Sequence, residues 1–170
     1  MSAPLKTLNT AAREDFTRRL GGVFESSPWV AAGAWERRPF TTVDELHAAM
    51  VEVVREAGSD RQLALIRAHP DLAGRAALAG ELTESSKREQ AGAGLDRLSQ
   101  GEYARFQGLN EAYQERFGFP FVSAVKGHSK ESILAAFEER LMNDAEAERA
   151  RALLEIAKIA RFRLMALTGE

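Results

Sequence analysis

His69 stands in the run His69-Pro70-Asp71-Leu72-Ala73-Gly74, in a chain of 170 residues with three histidines. The residues before it, Gln62-Leu63-Ala64-Leu65-Ile66-Arg67-Ala68, have the apolar character of a helix. Proline disfavours the α conformation in the residue that precedes it, so this helix is expected to end at about His69. An imidazole at a helix C-terminus is favoured in its protonated form and suited to proton transfer. A lone histidine at such a place is nevertheless more often a C-terminal cap than a catalyst.

Two further polar groups stand against apolar neighbours. Glu89-Gln90 is an acid and an amide in a helix opening, where the bland alternative is a solvated helix face. Arg161 and Arg163 lie deep in an otherwise apolar C-terminal helix. Ala160, Leu164 and Leu167 are core-like, and on that helical wheel Arg163 falls near the apolar stripe while Arg161 is further round. An arginine there either snorkels or meets an anion, and a substrate carboxylate would supply one bidentately. A histidine, an acid, an amide and an arginine suit a small, anionic, hydrogen-bonding molecule.

Other chemistries lack their residues. His47, His69 and His128 are scattered without metal-ligand spacing, so no metal is expected. Gly92-x-Gly94 is too little for a dinucleotide site, and Ser86 and Ser123 lack a nucleophile-elbow context. Cofactor-free acid–base or electrostatic catalysis remains the sharpest enzyme reading.

The elements that must position these groups read as helices. Asn9 or Thr10 is expected to cap a first helix closed by Gly21-Gly22, and Ser27-Pro28 to open a short one carrying Trp29 and Trp35. Thr42 with Glu45, and Ser99 with Glu102, have capping-box spacing. Ser59 is the expected cap of the helix leading to His69. Thr83 lies among several possible caps for the helix through Glu89-Gln90. The stretch Phe119-Pro120-Phe121-Val122-Ser123-Ala124-Val125 is apolar without helical period, which predicts an extended or irregular crossing of the core. Asn143-Asp144 separates two final helices, the last carrying Leu153, Ile156, Ala160, Leu164 and Leu167 as its stripe. The sequence predicts an all-α single domain over residues 1–170, a compact bundle of about seven to nine helices without significant sheet.

Composition bounds the partners. A net charge of −2 with basic and acidic residues interspersed gives no support to nucleic-acid binding. With no cysteine, disulfides, thiolate metal sites and a cysteine nucleophile are excluded. No apolar run approaches the ~20 residues that span a bilayer, and residues 1–8 lack a signal-type apolar core. A cytoplasmic protein with no membrane partner is expected.

At four places the chain resembles the 2-oxo-4-hydroxy-4-carboxy-5-ureidoimidazoline (OHCU) decarboxylase family of urate and purine breakdown. They are His69-Pro70-Asp71-Leu72-Ala73-Gly74; Leu82-Thr83 through Ser86 to Glu89-Gln90-Ala91-Gly92-Ala93-Gly94-Leu95; Asn110-x-x-Tyr113-x-x-Arg116-Phe117-Gly118-Phe119-Pro120-Phe121-Val122; and Arg140-Leu141-x-Asn143-Asp144 with Lys158-Ile159-Ala160-Arg161-Phe162-Arg163-Leu164. They span about residues 60–165 in family order; the N-terminal third fits only in its helical pattern. Phe162 stands where leucine is expected between the two arginines.

The resemblance implies an all-helical, usually dimeric lyase with no metal or organic cofactor. Its implied reaction converts OHCU to (S)-allantoin and carbon dioxide. By motif, His69 matches the catalytic histidine and Glu89 the second acid of the catalytic site. Pro70, Ser86, Lys87, Arg88, Glu89 and Gln90 fall among the implied substrate contacts, as do Phe121, Val122, Ser123, Ala124 and Val125, partly through backbone groups. Arg163 matches the substrate-binding arginine. The competing readings are a helical scaffold in which these residues are caps and ion pairs, and a related cofactor-free enzyme acting on a neighbouring purine-breakdown intermediate.

Overall fold

The computed structural model describes residues 4–74 and 80–170; the alanine-rich residues 75–79 lie outside the described residues. Among the described residues there are nine helices and no strand, as the periodicity predicts. They are α1 (Leu5–Thr10), α2 (Arg13–Leu20), α3 (Pro28–Trp35), α4 (Val43–Glu56), α5 (Ser59–Ala68), α6 (Glu84–Gly92), α7 (Gln100–Phe117), α8 (Lys130–Arg140) and α9 (Ala145–Thr168). No helix among them is long and apolar enough to cross a membrane.

The chain groups into two compact units, one of Met1–Ala68 with Ile156–Glu170 and the other of His69–Glu155. In the first, α2, α3 and α4 pack in succession over Phe16, Leu20, Val30, Leu46 and Met50, all at most 1% exposed. Gly33 lets α3 approach α4, because a Cβ there would lie 2.8 Å from Val53 Cγ1. In this unit His47 Nε2 lies 2.7 Å from the Ala157 carbonyl oxygen of α9.

The N-terminal expectation needs correction. Asn9 and Thr10 do not cap a helix; they end α1, and Ala12 stands at the start of α2 without a side-chain cap. Asn9 has a longer-range task instead. Its Nδ2 donates to the Phe40 carbonyl at 2.8 Å, and its Oδ1 accepts from the Phe40 amide at 2.8 Å. Arg38 closes the same corner, donating to the Asn9 and Ala11 carbonyls at 3.0 and 2.7 Å while its guanidinium lies 4.3 Å from the Trp35 ring centroid. Trp35 Nε1 also donates to Ala11, and Arg61 covers Trp29, so these half-buried tryptophans are not bare apolar surface.

The local cap rules fare better. Thr42 Oγ1 accepts from the Glu45 amide, although the Glu45 carboxylate reaches back to the Thr41 amide rather than to Thr42. Ser99 and Glu102 form the full reciprocal box. Ser59 is the first residue of α5 rather than its cap, after Gly58 at φ +89°.

In the second unit the core is aromatic. Tyr113 of α7 lies edge-on to Phe121 and Phe137, with centroids at 5.4 and 5.8 Å, and Phe121 stacks on Phe137 at 3.9 Å. Residues 119–125 are all buried and form neither helix nor strand, as their unpatterned apolar sequence predicts. The buried stripe of α9 also departs from the expected apolar row. It includes Glu148, Glu155 and Arg163, exposed by 0%, 3% and 7%, while Leu153 is only half-buried.

Candidate active site

Helix α5 ends at Ala68 and His69 follows it, where the proline predicts the break. His69 is 7% exposed. The turn after it holds an unusual backbone, since Ala73 has φ +53°. This left-handed conformation costs a non-glycine residue roughly 1–2 kcal/mol. Gly74 is required beside it, because a Cβ there would stand 2.6 Å from Asp71 Cβ.

Three side-chain amides hold this backbone. Gln90 Oε1 accepts from the Ala73 amide at 2.9 Å, and Gln90 Nε2 donates to the Asp71 carbonyl at 3.3 Å. Asn110 Nδ2 donates to Leu72 O at 2.9 Å, and Gln107 Nε2 to Ala73 O at 2.8 Å. Burial pushes the Asp71 carboxyl above its ordinary range.

Helix α6 faces this turn with Gln90. Thr83 caps it by accepting from the Ser86 amide at 3.2 Å. Ser86 and Gln90, one helical turn apart, are both 5% exposed; Glu89 is half-buried, whereas Lys87 and Arg88 are exposed. Of the five consecutive residues expected to touch substrate, α6 therefore turns Ser86, Glu89 and Gln90 inward to different degrees and leaves the two cations outside. A pocket of about 480 Å³ lies on this side of the unit, with Ala73, Lys87, Gln90, Leu95 and Tyr103 among its lining.

The crossing segment is pinned by charged side chains. Ala124 N donates to Glu155 Oε1 at 3.1 Å, and Arg140 Nη1 donates to the Val122 carbonyl at 2.7 Å. The Arg140 guanidinium also bonds Glu148 through Nε and lies 4.3 Å from the Phe121 ring centroid. Glu148 accepts further from Tyr113 O–H at 2.7 Å and Asn143 Nδ2 at 3.1 Å. Burial, followed by the bond to Glu148, pushes the Tyr113 phenol well above its usual range. The motif residues Arg140 and Asn143 thus serve a buried network that shapes the crossing. The Ala124 amide already has a carboxylate partner within the chain, which the sequence alone did not reveal.

Arg163 is the inward arginine of its pair. Arg161 is exposed and pairs with Asp44 at 3.2 Å. Arg163 is buried in the first unit, with Nη2 2.8 Å from Glu25 Oε2 and Nη1 donating to Gly22 O at 3.0 Å. Glu25 is 2% exposed. The inward position was readable from the wheel; its anion was not. The available signal was an acid directly after Val23-Phe24, ahead of the helix-opening Ser27-Pro28. Ser27 Oγ donates to the Glu25 carbonyl at 2.8 Å and helps fix this corner, where Ser26 has φ +47°. Among the described residues, no group of three or more His, Cys, Asp or Glu side chains is arranged to hold a metal ion.

Comparison with known proteins gives a consistent picture. The family model for OHCU decarboxylase matches residues 9–165. A 2-oxo-4-hydroxy-4-carboxy-5-ureidoimidazoline decarboxylase of Haloferax volcanii is 46% identical over 160 residues, covering 94% of this chain and 93% of its own. The protein of the same name from Halalkalicoccus jeotgali is 44% identical over 164 residues, covering 96% of this chain and 91% of its own. A crystal structure of (S)-allantoin synthase superposes with a TM-score of 0.78 at 31% identity, over 96% of this chain and 54% of that one, so this chain spans about half its length. With the motif stretches in family order, a matched all-helical fold and relatives aligned nearly end to end, the chain belongs to the OHCU decarboxylase family of carboxy-lyases.

Proposed function

We propose that this chain decarboxylates OHCU to (S)-allantoin in urate breakdown, with His69 handling the proton. The near full-length likeness to decarboxylases of that name carries the reading. In the reaction the bond from the ring carbon to the carboxylate breaks, and carbon dioxide leaves. The electron pair passes into the neighbouring C=N system, and a proton added on one face fixes the handedness of the product. A catalyst for this needs a proton-transfer group, held firmly, and fixed polar groups where charge develops.

His69 suits the first role. It is largely buried, and the backbone just beyond it is bonded by three amides. Glu89, half-buried on α6 next to Gln90, is assigned to orient the imidazole or hold the substrate hydroxyl. Ser86 and the crossing residues 121–125 are assigned to substrate contact, as is Pro70, and Arg163 to the anionic or ureido end. The Glu25 partner holds the Arg163 guanidinium in a fixed orientation in a buried place. Lys87, which lines the pocket on this face, and Arg88, both exposed on α6, are assigned to substrate contact from the outer side of the site. We also propose a homodimeric, cytoplasmic enzyme. The exposed Met142 and Leu154 offer apolar surface for association, and sedimentation of the purified chain tests it.

The test uses freshly generated OHCU, with decay and optical rotation followed against the blank. The wild-type chain is expected to accelerate the reaction and yield optically active allantoin whose rotation has the sign of an (S)-allantoin standard. His69→Asn, if folded, is expected to lose roughly 10²–10⁴-fold in rate. Blank-level rates and racemic product with the wild-type chain sink the assignment, and a folded His69→Asn at full rate sinks the role of His69. Arg163→Ala is expected mainly to raise KM.

A further inference from the structure

We propose that Asn110 is a positioning residue for catalysis, acting with Gln107 on the backbone that follows His69. The inference rests on the reading of His69 as the proton-transfer group. Asn110 belongs to a motif stretch that the chemistry above leaves without a role. It is 5% exposed, and its Nδ2 reaches the Leu72 carbonyl across 38 residues of sequence. One turn earlier on α7, Gln107 holds the next carbonyl, that of Ala73. The two carbonyls belong to the peptide units on either side of the left-handed Ala73. That conformation is unfavourable for alanine and persists only where its surroundings over-determine it. Two donors from one helix face, spaced three residues apart, do so. With Pro70 between His69 and this turn, a shift of the turn is transmitted to His69 through a short and stiff piece of chain.

Asn110 Oδ1 carries a second sign of specialisation. It is buried and has no hydrogen-bond partner among the described residues. A residue kept only to fill core volume would not bring in an unmatched acceptor, which natural interiors generally avoid. The amide is therefore explained by its donor end, aimed at the turn.

Asn110→Asp preserves shape and removes that donor, placing a carboxylate oxygen against the Leu72 carbonyl. Steady-state kinetics and imidazole NMR are to be measured on the folded variant, with melting temperature recorded alongside. The expected result is a kcat lowered roughly tenfold to hundredfold, the scale associated with displacing a reacting group by about an ångström. KM is expected to stay within about threefold on the same ground, since substrate contacts are untouched. The three histidines give an internal control. His47 and His128 have partners elsewhere, the Ala157 carbonyl and Ser132 Oγ. Only the His69 resonances should move. Where Asn110→Asp does not fold, the half-buried Gln107→Glu removes the neighbouring donor and must show the same signature. Wild-type kcat, a loss of kcat with unmoved His69 signals, or movement of all three imidazoles together overturns the inference. Full activity in His69→Asn would instead sink the role of His69 as the proton-transfer group, and the selective His69 shift would still decide whether Asn110 positions that ring.

Discussion

Replacing Glu25 by glutamine should expose how much the fold depends on the Glu25–Arg163 pair. Glutamine keeps the volume, so no cavity is created; what changes is the charge. Both partners are buried, at 2% and 7% exposure, and their contact is 2.8 Å, so water screens neither. Arg163 then keeps its desolvation penalty without the Glu25 charge, while the bond to the neutral Gly22 carbonyl remains. Breaking a buried pair by removing one partner typically costs 3–5 kcal/mol, and an isosteric amide that can still accept a bond places Glu25→Gln near about 3 kcal/mol. For a chain of this size, 1 kcal/mol moves the melting temperature by ~2–4 °C, so a fall of about 6–12 °C is expected. Urea denaturation at constant slope gives the free energy directly. The double variant Glu25→Gln with Arg163→Met removes both charges and should cost less than the sum of the single changes, by at least about 1 kcal/mol. A Glu25→Gln loss below about 1 kcal/mol, or strict additivity in the cycle, would refute the reasoning that Arg163 depends on an internal anion.

Gly74→Ala should destabilise the chain by roughly 1–3 kcal/mol, the usual cost of forcing an extra carbon into a packed site, because its Cβ meets Asp71 Cβ at 2.6 Å; unchanged urea stability would contradict that contact. Asp71→Asn tests the raised carboxyl at the same turn. A raised folded-state value means that the folded chain holds the proton more tightly, so the Asp71 charge penalises stability as pH climbs above the ordinary value of 3.8. The variant should therefore gain on the wild type as pH rises from acid towards neutral, read from urea midpoints across that range; a constant difference would show that Asp71 is not desolvated.

What could be read from the sequence were local rules. Pro70 ends α5 just before His69 because the restriction acts on one neighbour. Ser99 with Glu102 caps α7, and Thr83 caps α6, because a side chain three residues from a free amide reaches it whatever the rest of the chain does. The wheel turned Arg163 inward and Arg161 outward for the same reason, since periodicity needs only the helix itself. Asn9 shows the limit: its type suits a cap, but a partner 31 residues away at Phe40 outcompetes the local one.

Only the tertiary structure decided what the polar groups bind. Glu25 meets Arg163 across 138 residues, and Asn110 meets Leu72 across 38. Glu148 and Glu155 sit within the buried stripe of α9, where composition predicts hydrophobes, because Arg140, Tyr113 and the Ala124 amide supply their bonds. A buried charge is tolerable only beside its partner, and side-chain type carries no record of which distant residue that will be. The sequence by itself determined the all-helical class, the break at His69 and the family. The folded chain determined which amides hold that break and which carboxylate holds Arg163, because those bonds exist only once segments far apart in sequence have packed.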